Sequence, residues 1–283
     1  EPEAIGGCLP LALVYSYDPL PKSLTSEQAR HIIGVQANLW TEYMPTYRQM
    51  EYMELPRMAA LCEIQWTEQA QRNYGDFRQR LPRFIQVYDQ QGYNYAKHIA
   101  DVSATYTPCV ADKSLKAKFA TLKGRTIHYT LDGTEPTLDS PLYSGEISIN
   151  KDAIVKAASF GTSGDKSRTI CDTISVNKAT FCNVTLNTRP HENYTFTGAP
   201  VLVDGIAGNG NYRTGRWLGF IGNDCDVTID LGAVMPVSEV ALNCCIFQCD
   251  GVVDAAGFKV SVSKDGKKFE SFGEANTAEV DKA

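Results

Sequence analysis

The stretch Gly34-Val35-Gln36-Ala37-Asn38-Leu39-Trp40-Thr41-Glu42-Tyr43 decides how the first third of the chain is read. It is followed, sixteen residues after Trp40, by Pro56-Arg57-Met58-Ala59-Ala60-Leu61-Cys62-Glu63 and then by Trp66-Thr67. Val35 to Trp40 reads as a buried strand of six residues. A Trp and a Glu just past a strand end suit a sugar. The indole offers an apolar wall to a pyranose face, and the carboxylate accepts hydroxyl hydrogen bonds. The residues alone leave a second reading open, in which Trp40 is core and Glu42 a solvated loop charge.

Helical signals surround this stretch. Upstream, Thr25-Ser26-Glu27-Gln28 fits a capping box that opens a short helix carrying Ala29, Ile32 and Ile33 and ending at Gly34. Downstream, Pro56 predicts a break within a helical region, because proline is tolerated only in a helix's first turn. A second helix is then expected over about Leu55 to Trp66. From Tyr74 to Gln91 the apolar residues Phe77, Leu81, Phe84, Ile85 and Tyr88 recur at three and four residues, with Gly92 as a natural stop. One strand among helices cannot form a sheet by itself, so residues 1–97 read as the tail of a larger α/β unit.

Composition shifts twice beyond this block. Residues 104–177 are rich in Thr, Ser, Lys and β-branched residues with short alternating runs. From about residue 180 the chain becomes Gly- and Asn-rich, with short strands between turns. At 283 residues the chain suits two or three domains. A net charge of −6 argues against nucleic-acid or polybasic membrane binding, and no apolar run approaches the ~20 residues of a membrane span. Nine cysteines cannot all pair within the chain, and no CxxC occurs. Cys244, Cys245 and Cys249 have no histidine nearby, which argues against zinc. Buried thiols, with at most one disulfide, are expected instead.

The first block resembles the closing segment of glycoside hydrolase family 20, the β-N-acetylhexosaminidases on a (β/α)8 barrel. The resemblance rests on Gly34 to Tyr43, on the Pro-Arg-x-x-Ala-Leu-x-Glu-x-x-Trp-Thr series, on Asp76-Phe77 with Arg80-Leu81, and on Ile5-Gly6-Gly7 through Tyr15-Ser16-Tyr17-Asp18-Pro19. It implies that Trp40 walls the subsite for the terminal sugar and that Glu42 accepts its outer hydroxyls. Sites on such barrels lie at the C-terminal ends of the strands. The family's nucleophile is the substrate's own acetamido oxygen, served by an adjacent Asp-Glu pair. The sequence contains no Asp-Glu dipeptide. The resemblance therefore puts the pair upstream of Glu1, assigns no catalytic residue to this chain, needs no catalytic cofactor, and makes the 283 residues inactive alone. Arg57 and Glu63 are expected to pair on the last barrel helices.

Tyr129-Thr130-Leu131-Asp132-Gly133-Thr134-Glu135-Pro136-Thr137, with strands expected over Thr126–Leu131 and Ala153–Phe160, resembles the immunoglobulin-like chitobiase C-terminal domain. Asp132 and Glu135 read as turn residues. Val203-Asp204-Gly205, Tyr212-Arg213-Thr214-Gly215-Arg216-Trp217-Leu218-Gly219-Phe220 and Asp226-Val227-Thr228-Ile229-Asp230-Leu231-Gly232 resemble a discoidin-like, coagulation-factor type C jelly roll. That resemblance implies sugar binding through loops at one end and makes Asp204 a candidate calcium ligand; plain Asp-Gly turn chemistry competes with the metal. Trp217 reads as core before sugar platform, and Arg213 and Arg216 as loop charges.

The expected architecture is thus multidomain α/β plus all-β. The last part of a TIM barrel spans 1–97, an immunoglobulin-like β-sandwich 104–177, and an incomplete discoidin-like jelly roll 180–283. The resemblance implies glycans with terminal N-acetylglucosamine or N-acetylgalactosamine as partners, and a periplasmic, cell-surface or secreted location. A non-catalytic carbohydrate-binding or adhesion protein is the alternative.

Overall fold

The structure, a computed structural model, describes residues 9–208, 210, 212 and 216–276. Its first block is helical: α1 (Leu11–Tyr15), α2 (Ser26–Ala29), α3 (Tyr47–Glu54), α4 (Arg57–Trp66) and α5 (Tyr74–Gln91). The capping box at Thr25 forms with both reciprocal hydrogen bonds, but α2 stops at Ala29, well before Gly34. The interruption at Pro56 falls between α3 and α4 as expected. Helix α5 spans the expected residues. Asn73 caps it by accepting from the Asp76 amide at 3.1 Å, and Gly92 closes it in the left-handed region at φ 71°. Phe77, Leu81 and Tyr88 are buried, whereas Phe84 is 40% exposed and leaves the predicted face. Phe77 and Leu81 pack with Leu11, Tyr15, Ala59 and Ala60.

The strand expected at Val35–Trp40 is not formed, and no strand occurs among the described residues of this block. The reason is physical: a strand needs a neighbouring strand to take its backbone groups, and among the described residues no strand pairs with this segment. The segment runs as coil, with Ile33 97% exposed.

The second block is a sandwich of two antiparallel three-stranded sheets, ordered β1-β2-β4 and β3-β5-β6. The strands are β1 (Ser103–Cys109), β2 (Ser114–Ala120), β3 (Thr126–Thr130), β4 (Ile147–Ile149), β5 (Ala153–Phe160) and β6 (Ile170–Ile174). Leu115, Ala117 and Phe119 of β2 face Ile127, Val155, Ala157 and Ile174 across a dry core. Phe181, beyond the expected boundary of this block, completes that core at 1% exposure while holding a left-handed φ of 60°. The Phe181 amide donates to the Val203 carbonyl at 2.8 Å, and the Ser175 amide to Gly205 at 2.9 Å. The sandwich thus takes part of its core from residues assigned by sequence to the next unit.

The first two blocks are joined without slack. Leu122 of the sandwich is buried in the helical core, and Arg78 of α5 donates to the Thr121 carbonyl at 3.2 Å. The Ala100 carbonyl accepts from both Thr121 Oγ1 (2.7 Å) and Ser159 Oγ (2.5 Å).

The last block forms two separate two-stranded antiparallel sheets. One pairs β7 (Asn183–Leu186) with β8 (Val227–Asp230), the other β9 (Gly257–Val262) with β10 (Glu270–Asn276). Among the described residues these do not close into the expected jelly roll, because each sheet lacks further strands to cover it. No helix among the described residues is long and apolar enough to cross a membrane.

Candidate functional site

Trp40 and Glu42 stand two residues apart on the coil that follows α2, and both are exposed, Trp40 to 68%. A turn in which the Met44 amide donates to the Thr41 carbonyl at 3.0 Å shapes the loop. The segment is held from α4, where Gln65 Nε2 donates to the Val35 carbonyl at 2.8 Å. Sequence reading missed Gln65, because a helix residue reaching a distant carbonyl leaves no local spacing signal. An open indole beside a carboxylate is the chemistry that grips a pyranose: apolar area on one side, a hydroxyl acceptor on the other.

The expected Arg57–Glu63 pair is absent. Six positions apart on one helix, the two side chains point to different faces. Arg57 donates instead to the carbonyls of Leu9 (3.0 Å) and Met53, and burial lowers its pKa. Glu63 takes a bidentate grip from Arg80 of α5, at 2.6 and 3.1 Å, and Arg80 also donates to Asp76 at 2.9 Å. These hydrogen bonds to Glu63 and Asp76 raise the guanidinium pKa further. Tyr15, with its pKa raised mainly by burial, accepts from the Asn73 amide at 3.0 Å and reaches Glu63 at 3.5 Å. This network locks α1, α4 and α5 behind the coil that carries Trp40.

In the sandwich, Asp132 behaves as a turn residue, accepting from the Thr134 amide (3.0 Å) and hydroxyl (2.6 Å). Glu135 does more than the sequence implied. It pairs with Lys166 at 2.7 Å, contacts Lys156 at 3.5 Å, and accepts from Thr169. Its carboxyl is pulled down to about 2, first by the Lys166 hydrogen bond and then by Thr169.

Asp204 lies elsewhere, 8% exposed under the last block, with Oδ1 accepting from the Ile206 amide at 2.8 Å. Burial pushes its carboxyl up to about 6, opposed by the Ile206 hydrogen bond and by Arg216. Calcium wants six to eight oxygens, commonly with several carboxylates. Among the described residues no group of three or more acidic, histidine or cysteine side chains gathers to hold a metal. What stands here is one carboxylate closing an Asx turn, and that donor set does not fit the ion.

Arg216 is not a loop charge. It pairs with Asp172 of β6 at 2.9 Å and lies 5.5 Å over the Tyr106 ring, while Tyr106 donates to the same carboxylate at 2.8 Å. Arg216 and Asp172 line a cleft of about 630 Å³ where the sandwich meets the last block. Arg213 falls outside the described residues. Trp217 is half-buried, its ring so close over Gly208 that a Cβ there would come within 2.3 Å. All eight described cysteines are free thiols and only Cys182 among them is buried, so among the described residues the expected set of buried thiols is not found; Cys8 lies outside the described residues.

Two family models match the chain. Residues 1–69 match the catalytic domain of glycosyl hydrolase family 20, and residues 110–171 match the chitobiase/beta-hexosaminidase C-terminal domain. The coil bearing Trp40 and Glu42 lies inside the first match, and the second covers β2 to β5 and the start of β6 of the sandwich. Among individual relatives, a beta-hexosaminidase of Porphyromonas gingivalis is 37% identical over 169 residues, covering 59% of this chain and 22% of that protein. A beta-N-acetylhexosaminidase of Cellulomonas fimi is 32% identical over 81 residues, 28% of this chain and 16% of that protein. A beta-hexosaminidase of Vibrio vulnificus is 48% identical over 42 residues, 15% of this chain and 5% of that protein. The chain spans less than a quarter of the length of each of these relatives.

Proposed function

We propose that this chain is part of a β-N-acetylhexosaminidase that removes terminal N-acetylglucosamine or N-acetylgalactosamine from glycans, in the periplasm, at the cell surface or outside the cell. The observation that carries the reading is the Trp40-Thr41-Glu42 coil, open to solvent inside the stretch that matches the family 20 catalytic domain, with the chitobiase-type match following it. In this reading Trp40 covers the apolar face of the terminal sugar and Glu42 accepts hydrogen bonds from its outer hydroxyls. The reaction is retaining and substrate-assisted: the acetamido oxygen attacks the anomeric carbon while a carboxylic acid protonates the leaving oxygen. No Asp-Glu pair occurs in the sequence, so the acid and its partner come from other residues of the parent enzyme. The last block serves as a glycan-binding appendage of discoidin-like type.

A chromogenic N-acetyl-β-glucosaminide tests the reading. The parent enzyme turns it over, and Glu42→Gln lowers kcat/KM by about 100-fold, the cost of about 3 kcal/mol for a lost charge-assisted bond at a desolvated site. Trp40→Ala lowers it comparably. The 283-residue chain alone gives no turnover; clear hydrolysis by it overturns the assignment of the acid to other residues.

A further inference from the structure

Each sheet of the sandwich has two edges, formed by β1 and β4 in one and by β3 and β6 in the other. An exposed edge is a template for a further strand unless it is short, interrupted or covered. β4 has three residues and is short. β1 carries Pro108, which interrupts its row of donors. β3 is covered by residues 141–143: the Tyr129 amide donates to the Pro141 carbonyl at 3.1 Å, and the Tyr143 amide to the Ile127 carbonyl at 2.8 Å. β6 contains neither Lys nor Pro. Among the described residues it pairs with β5 on one side and, on the other, meets a bridge at Ile174 to Ile206 and no named strand.

The open part of that edge presents backbone groups to a cleft. The Ile154 amide donates to the Leu131 carbonyl at 3.1 Å, and the Ile154 carbonyl accepts from the Gly133 amide at 3.0 Å, so Ile154 turns both groups away from β6. Ile154 stands opposite Thr173. Residues of an antiparallel pair alternate between those that exchange hydrogen bonds and those that do not. Thr173 and Cys171 therefore aim their N–H and C=O away from β5. The Ser175 amide, on the same alternation, donates outward to Gly205 at 2.9 Å. Cys171 and Thr173 both line the cleft of about 630 Å³. With strands about 4.8 Å apart, a layer about 10 Å thick and a rise of about 3.3 Å, one strand residue fills roughly 160 Å³, so the cleft has room for about four. The open stretch, residues 170–173, is of that length. Gly205 and Ile206 begin a strand along this edge. Beyond them Gly208 lies so close to the Trp217 ring that a Cβ there would fall within 2.3 Å, and no pairing with β6 continues among the described residues.

We propose that the β6 edge takes up an extended, uncharged segment of another protein as a further antiparallel strand, with apolar side chains at alternate positions. Main-chain hydrogen bonds to Cys171 and Thr173 hold such a segment, and its alternate side chains meet the walls. The walls supplied by Val102, Ala104, Ile170, Ile206 and Ala207 are apolar. The charges there, Arg216 and Asp172, neutralise each other at 2.9 Å, so a charged side chain entering the cleft would leave water without a partner. Antiparallel pairing continues the line that Gly205 and Ile206 begin. A second copy of the chain fits worse, because Ile206 already stands beside Ile174 in each copy and shortens what two β6 edges could pair. The inference is independent of the glycosidase reading and of Trp40.

The probe is a short capped peptide of alternating Thr and Val, added to the isotope-labelled whole chain, with amide hydrogen exchange read by NMR. At free peptide about ten times its dissociation constant, exchange of the Cys171 and Thr173 amides slows by about tenfold, whereas the Asp172 amide, already turned to β5, is unchanged. That alternation separates strand pairing from loose adsorption. N-methylation of the peptide at the alternate residues that face β6 abolishes the effect, and N-methylation at the others leaves it. Lys or Glu in place of the peptide's Val weakens binding by about tenfold, a difference of about 1.4 kcal/mol. Ala207→Trp, a change at an exposed position that fills the cleft, weakens it as much and leaves the melting temperature in place. Slowing at Asp172 equal to that of its neighbours, no slowing at all, or binding undiminished by N-methylation at the facing residues, by Lys or Glu, or by Ala207→Trp overturns the proposal. So does slow exchange without peptide that grows with protein concentration, which gives the edge to a second copy.

Discussion

The helical block and the sandwich are both folded around apolar cores, yet they finish them differently. The sandwich closes on all sides, even drawing Phe181 from the following segment. The helical block closes one face only. Its α4–α5 side buries Phe77 and Leu81, while Ile33, Trp40 and Trp66 stand 97%, 68% and 87% exposed. The difference teaches that a sandwich is stable as a local pair of sheets, whereas a block of helices with no sheet among its described residues leaves its second face open.

The largest expected effect tests the closed side of that comparison. Phe181→Ala leaves a cavity in the sandwich core and costs about 3–5 kcal/mol, read from urea denaturation. A loss below about 1 kcal/mol shows that the sandwich does not depend on the borrowed ring.

The pH dependence of stability probes the same joint. Asp204 is raised to about 6 in the folded protein against an ordinary carboxyl near 3.9 in the unfolded chain. The folded state therefore holds the proton more tightly. Stability from this group is full below about pH 4 and is lost as pH rises through 6. Asp204→Asn keeps an acceptor for the Ile206 amide, flattens that fall and raises stability at pH 7 by on the order of 2 kcal/mol. An unchanged slope in thermal melts between pH 4 and 7 refutes the burial account.

On the open side, Glu63→Gln removes the charge that Arg80 grips and should cost about 1–2 kcal/mol, without altering melting of the sandwich if the two blocks unfold separately. Gly92→Ala, at φ 71°, should cost about 1 kcal/mol, the smallest of these effects. Fluorescence sharpens the contrast directly. Trp40 and Trp66 should be quenched readily by acrylamide, and Trp217, under Gly208, should not; equal quenching of all three contradicts the exposed face.

What could be read from the sequence follows the range of the forces involved. Helix α5 was legible at both ends because its cap, its 3.6-residue spacing and Gly92 are all local. Strand β5 was legible because alternation and flanking turns are local too. The strand expected at Val35–Trp40 did not form, since a strand is fixed by its neighbour and not by its own residues. The same limit hid the partners of Glu63, Arg216 and Glu135. Each pairs across a distance in sequence that no spacing rule spans. Trp40 and Glu42 were found as a pair by their chemistry, whereas Gln65, which holds their coil, carries no such signature.

The Ala100 carbonyl spends both of its lone pairs on the sandwich, one on Thr121 and one on Ser159. Asp101, the next residue, is gripped by the Arg168 backbone and side chain at 3.1 and 2.7 Å. A protease must draw a segment out and extend it before it can cut. The junction between helices and sandwich is therefore a poor place to nick, and limited digestion should release the two as one resistant piece, with first cuts in the exposed coil around Ile33 instead.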